Sequence, residues 1–155
     1  PISPRTLALG KVIAGAAFGI LLALFYALLF VVLGRVPVHP LAFVLLAAAS
    51  SFASSALGLL MAAPFGSVPD AMPPATVARM AMLFVSGAFR PLADLSPAIE
   101  AATHLVPLTT AVDGYRGALS ATPLAPSFLL DMTAQLIFGM LFLYVSGSAI
   151  AAKAR

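Results

Sequence analysis

The side chains able to do chemistry in this sequence are few, and most fall close together. Asp94, Glu100, His104, Asp113, Arg116 and Asp131 lie within one part of the chain, and His39 stands apart. Asp113 and Arg116 are three residues apart, so on a helix they share a face and can pair. Asp131 and Gln135 are four apart and would present two hydrogen-bonding groups to one neighbour. Metal binding needs several His, Cys or carboxylate ligands at matched spacing. The chain has no cysteine and two histidines, and His39, between Pro37 and Pro40, has no partner at useful spacing. Hydrolytic chemistry needs a nucleophile beside a base. The serines gather at Ser50, Ser51, Ser54 and Ser55 with no acid or base among them. These residues point to pairing and positioning rather than catalysis, and no metal or cofactor bound by this chain is expected.

The elements that carry them are apolar. Hydrophobic residues make up 62% of the chain, against roughly 45–50% in a soluble domain. Charged residues make up 8%, against roughly 25%. Too few charges remain to cover a solvated surface. A net charge of +3, from 8 basic and 5 acidic residues, is too sparse for a nucleic-acid surface and is better read as membrane topology. The first apolar run is too long for a signal peptide. The chain begins at Pro1 rather than Met and is expected to be part of a longer protein.

Four membrane spans are expected, at residues 12–33, 41–63, 75–90 and 127–151. Residues 12–34, 23 in all, carry no charge, and at about 1.5 Å per residue they can cross a hydrocarbon layer of roughly 30 Å. Gly15 and Gly19 form a GxxxG pair there, a spacing that lets another helix approach closely. Residues 41–63 are also uncharged. On that helix Ala47, Ser51, Ser54 and Gly58 share a face. The stripe suits close helix packing or the lining of a polar cavity, and the lack of an accompanying acid or base favours packing. Residues 64–74, with four prolines, read as a loop. The third segment is the least apolar. It crosses if Arg79 snorkels to one interface and Arg90 marks the other; otherwise it lies on the surface as an amphipathic helix. The last run, residues 132–152, is uncharged again.

Between the third and last segments, residues 96–119 hold two short helical pieces, about 97–105 and 108–119, separated by Pro107. Neither is long enough to span. They form a re-entrant or interfacial hairpin, a geometry that needs shielding by protein or water. Gly87 permits a kink or close packing at its entrance, and Arg90-Pro91 sets where the third segment leaves the bilayer. Asp113 and Arg116 are read first as a clamp within the hairpin, with direct substrate contact or ordinary interfacial charge as alternatives, and Asp131 and Gln135 join it to the last span by hydrogen bonds. With four spans both termini share a side. That side holds Arg5, Lys11, Arg79, Lys153 and Arg155; the other holds Arg35, Arg90 and Arg116. The excess places both termini in the cytoplasm and the hairpin outside.

The stretch SGAFRPLADLSPAIEAATHLVPLTTAVDGYRGAL, residues 86–119, resembles the signature of the ABC-2 type transporter permeases. The matching elements are Ser86, Gly87, Phe89 and Pro91; then Pro107, Leu108 and Thr109; then Asp113 and Arg116. The lead-in around Gly10-Lys11-Val12 is similar to the family's entry to its third span. Arg90, directly before Pro91, departs from the usual uncharged residue, and the loop after Ala63 is richer in proline. The resemblance implies that this chain holds the third to sixth of six spans, the later two thirds of a family member. It favours a span for residues 75–90. It further implies an ATP-driven exporter of a lipophilic, lipid-linked or polysaccharide substrate in the plasma membrane of a bacterium or archaeon. The chain would dimerise with a second permease copy, contact membrane lipids and bind an ABC ATP-binding subunit that holds ATP and Mg. A non-transporting four-helix scaffold is the alternative; a membrane-embedded enzyme lacks the clustered groups it would need.

Overall fold

The computed structural model describes residues 3–34, 37–89, 97–120 and 126–153. Among them the chain is entirely helical. It comprises α1 (Pro4–Val32), α2 (Pro40–Ala62), α3 (Val68–Val85), α4 (Pro97–Thr103), α5 (Pro107–Leu119) and α6 (Pro126–Lys153). Proline occupies the first turn of α1, α2, α3 and α5, where its missing N–H costs no helix bond and its fixed φ favours the start.

Among the described residues three helices are long and apolar enough to cross a membrane: Thr6–Val32, Pro40–Ala62 and Pro126–Ala152. α2 lies at the centre and packs chiefly against α6 and α1, and α5 closes one end against α2 and α6. At that end Phe43 and Leu46 of α2, Ala118 of α5 and Phe128 of α6 form a buried cluster, with Tyr115 and Met132 against it. The backbone N–H of His39, at the start of α2, donates to the Ala118 carbonyl at the end of α5 (3.2 Å). Outward from this core the chain stays apolar: Phe18, Leu21, Phe25 and Leu28 of α1 are each more than half exposed. In water such a surface would aggregate, whereas in lipid an apolar outer face is the resting condition of a helix bundle.

Glycine sets the approach of α1 to α2. A Cβ built at Gly15 would lie 2.8 Å from Ser55 Oγ, and one at Gly19 would lie 2.8 Å from Ser51 Cβ. Gly19→Leu is therefore expected to push α1 off α2. The overpacking cost is about 1–3 kcal/mol, read as a lower midpoint of SDS-induced unfolding in mixed micelles.

α1 starts at Pro4, with the Ser3 hydroxyl accepting from the Thr6 N–H (3.2 Å) as its cap. The expected bounds of the third segment need correction. The proline-rich segment before residue 75 is not wholly loop, because α3 begins at Val68. Ser67 caps it, accepting from the Asp70 N–H (3.4 Å) and donating to the Asp70 carboxylate (2.6 Å). Pro69 and the acidic Asp70 suit a first helical turn. Pro73 and Pro74 lie inside the helix and remove the N–H groups that Pro69 and Asp70 carbonyls would accept from. α3 also ends at Val85, earlier than residue 90; its 18 residues are less apolar than the three helices that are candidate spans, and it is not among them.

Candidate functional site

α5 and the end of α3 meet at one point. α3 is capped at its C-terminus by Ser86, which is fully buried and donates its hydroxyl to the Leu83 carbonyl (3.1 Å). Gly87 follows with φ of +73°, a left-handed conformation that a side chain would strain by roughly 1 kcal/mol. That turn presents the Gly87 carbonyl to α5, where Arg116 Nη2 donates to it at 2.6 Å. Arg116 Nη1 reaches Asp113 Oδ1 at 3.5 Å. The arginine therefore does more than pair within its helix: its shorter bond ties α5 to the exit of α3. Burial raises the Asp113 carboxyl pKa above its ordinary range and outweighs the lowering by His104 and Arg116; Glu100 adds to the rise. Phe89 is mostly exposed and rests against the Phe84 ring, with centroids 5.9 Å apart. Arg90 and Pro91 lie outside the described residues.

α5 is held from two sides. Pro107 opens it, and the Pro107 carbonyl accepts from Gln135 Nε2 of α6 and from its own helix's Thr110 hydroxyl (3.1 Å). Gln135 Nε2 also donates to Thr110 Oγ1 at 2.8 Å, and its side chain is buried. Asp131 behaves differently from Gln135. It makes no hydrogen bond among the described residues, and its Cβ lies 3.5 Å from where Gly114 would carry one. It is thus a packing neighbour of α5, not a hydrogen-bonded link, because Gly114 brings the two backbones close. The same built position lies 2.8 Å from Leu46 of α2, so Gly114 lets α5 approach both helices. Tyr115 completes the attachment: its hydroxyl bonds Ser50 Oγ of α2 at 3.0 Å and its ring lies 5.3 Å from Phe43. Thr109 is fully buried, with its hydroxyl unpartnered among the described residues.

The small-residue stripe of α2 divides into two uses. Ser51 and Ser55 meet Gly19 and Gly15 of α1. Ser54 and Gly58 do not pack there; both are exposed, and both line two cavities. One, of about 330 Å³, lies between α2, α3, α5 and α6 and is lined by Leu57, Met61, Met82, Leu108 and Gln135 among others. The second, of about 550 Å³, lies between α1, α2 and α3 and is lined by Ser50, Ser51, Ser54 and Ser55. Arg79 lines both. Sequence reasoning assigned Arg79 to an interface and did not connect it with the serines; a cation on the same segment as a serine-rich neighbour was the available signal. Gly114, Tyr115 and Gly139 were likewise not singled out.

The arrangement contains fixed attachment points, two cavities and apolar outer faces, which suit a membrane path more than a reaction centre. A family model described as ABC-2 type transporter matches residues 1–120. No curated protein and no solved structure matches the chain. The family match takes in α1 to α5, with the turn at Gly87 and the Pro107 and Asp113–Arg116 elements, and covers well over half of the 155 residues; the chain belongs to the ABC-2 type transporter family.

Proposed function

We propose that this chain is the membrane-spanning permease subunit of an ATP-driven exporter, working with a second permease copy and an ABC ATP-binding subunit in the plasma membrane of a bacterium or archaeon. The observation that carries the reading is the family match across α1 to α5. The permease does no bond chemistry; ATP and Mg belong to the partner ATPase, whose closure alternately opens a path between permease halves. A lipophilic, lipid-linked or polysaccharide cargo fits such a path. Vesicles holding the full chain and its ATPase should export cargo with ATP and stop when the ATPase nucleotide-binding lysine is replaced. Undiminished transport without any ATPase would sink the reading.

In this proposal α3 is a fourth crossing, the α4–α5 hairpin faces outward, and both termini are cytoplasmic. Support comes from where the ends of α3 lie. α3 follows the end of α2 through a short turn. Its other end is bound by Arg116, on the helix whose Ala118 carbonyl holds the start of α2. α3 therefore runs from one end of α2 back towards the other. Its 18 residues extend about 27 Å. The chain has no cysteine, so single substitutions report topology cleanly. Gly66→Cys, in open space, and Ala88→Cys, which is exposed, should label with an impermeant maleimide from opposite sides of the membrane. Labelling from one side would place α3 on the surface.

A further inference from the structure

Among the described residues Arg79, which is exposed, is a cation without an acceptor. It makes no hydrogen bond or ion pair among the described residues, and no carboxylate lines either cavity that it borders. It lies 11 residues after Val68 and 6 before Val85, about 17 Å and 9 Å from the two ends of α3. Helical side chains lean towards the N-terminus, which carries the guanidinium away from the nearer end. Snorkelling out is correspondingly hindered. A guanidinium at membrane depth is costly even by the lower scales, and such a charge is kept where something pairs with it.

The two cavities show what kind of group that is. On one side of Arg79 lies the serine face of α2, with hydroxyls at Ser51, Ser54 and Ser55. Hydroxyls and a guanidinium are donors together, and a guanidinium matches phosphate or carboxylate oxygens in a two-pronged geometry. On the other side lies a cavity whose lining is mostly apolar, with Leu57, Met61, Met82 and Leu83. Methionine side chains adapt to chains of varied shape. We propose that Arg79 and the serine face of α2 bind the anionic headgroup of an amphiphile whose apolar tail occupies the adjoining cavity between α2, α3, α5 and α6. This inference rests on the permease reading in taking α3 as a crossing, and it adds the charge and polarity of the molecule bound there.

The test is equilibrium binding to the full chain in phosphatidylcholine nanodiscs, corrected for uptake by empty discs. The probes are a tail-labelled fluorescent dodecyl phosphate, the matching dodecylphosphocholine and inorganic phosphate. Dodecyl phosphate should bind roughly tenfold or more tightly than dodecylphosphocholine, the increment of a charge-assisted hydrogen-bonded pair. Inorganic phosphate, lacking the tail, should compete only weakly. Arg79→Gln should abolish the preference, Arg79→Lys should restore part of it, and Ser51→Ala with Ser54→Ala should reduce it without removing it. Arg79→Lys keeps the charge, so its partial recovery separates a binding role from loss of fold. Adding phosphatidylglycerol to the disc assigns the source: displacement of dodecyl phosphate means that a bilayer lipid fills the site, and continued binding means that a separate amphiphile does. Equal affinity for the two dodecyl probes, or an unchanged preference in Arg79→Gln, overturns the proposal. So does dissociation of a dimer by Arg79→Gln with amphiphile binding intact, which would make an acid of a second copy the partner. Absence of ATP-driven export would defeat the permease reading and leave this titration standing; ATP-driven export with no anion preference would do the reverse.

Discussion

Replacing Gly139 with leucine is expected to separate α6 from α2 and to give the largest loss of stability of any single substitution considered. A Cβ at this position would run into the Phe52 ring and lie 3.3 Å from the Ala53 Cα. The ring has some freedom, but the Ala53 backbone belongs to a central helix whose neighbouring positions Ala49, Ala53 and Ala56 are buried. Nothing there can give way cheaply. α2 and α6 share the most extensive interface in the molecule, so the strain spreads along two long helices. Overpacking of this kind costs about 1–3 kcal/mol and occasionally more; Gly139→Leu should reach or exceed the top of that range. The measurement is the midpoint of SDS-induced unfolding followed by far-UV circular dichroism. Gly117 supplies the contrast. It sits in α5 with nothing near its missing Cβ, so Gly117→Ala should stabilise by about 0.5–1 kcal/mol through helix propensity. If both substitutions moved the midpoint alike, close approach at Gly139 would not be what holds α2 to α6.

Gln135→Leu should loosen the hairpin from the last helix. Gln135 is 1% exposed, and its amide donates to two acceptors at the start of α5, the Pro107 carbonyl and the Thr110 hydroxyl. Leucine is close in volume, so the loss is polar rather than a cavity. Interhelical hydrogen bonds in membranes average about 0.6 kcal/mol and reach about 1.7. Two bonds from one buried amide place the expected loss at about 1–2 kcal/mol. Thr110→Val removes one acceptor, and the Gln135→Leu/Thr110→Val pair should cost less than the sum of its parts, because both remove the same bond. Additive effects would show that the amide and the hydroxyl act independently. Hydrogen exchange should localise the change to α5, with α1 and α2 protected as before.

Much of the architecture was legible because its signals are local. The long uncharged runs around Phe25, Leu46 and Phe142 indicate helices able to cross a membrane, since only a helix satisfies its own backbone groups in lipid. The interruption at Pro107 and the lengths on either side mark two short helices rather than a span. Gln135 stood out as a hydrogen-bonding side chain in an apolar run. The start of α3 was misread for a physical reason: four prolines argue for a loop, but Ser67, Pro69 and Asp70 are also the composition of a capped first turn. The helix there tolerates Pro73 and Pro74 at the loss of two ladder bonds. Asp131 meets α5, but spacing on α6 cannot tell that it does so by packing against Gly114.

What the sequence by itself determined is the membrane character of the chain, its all-helical class, the two short helices before the last long one and the family that its elements match; of the four spans expected, three are helices long and apolar enough to cross among the described residues. What only the tertiary structure decided is which face of each helix meets which neighbour. Helices that are apolar all round carry little directional signal in their composition. In lipid, contact is chosen by shape and by the few polar groups that find each other. Hence Gly15 and Gly19 could be recognised as packing residues without their partners Ser55 and Ser51. The serine stripe could not be divided between a helix contact and a cavity. Arg116 could be paired with Asp113 by spacing, yet its shorter bond to the Gly87 carbonyl, 29 residues away in sequence, depends on α3 returning to the end of the bundle where α5 lies.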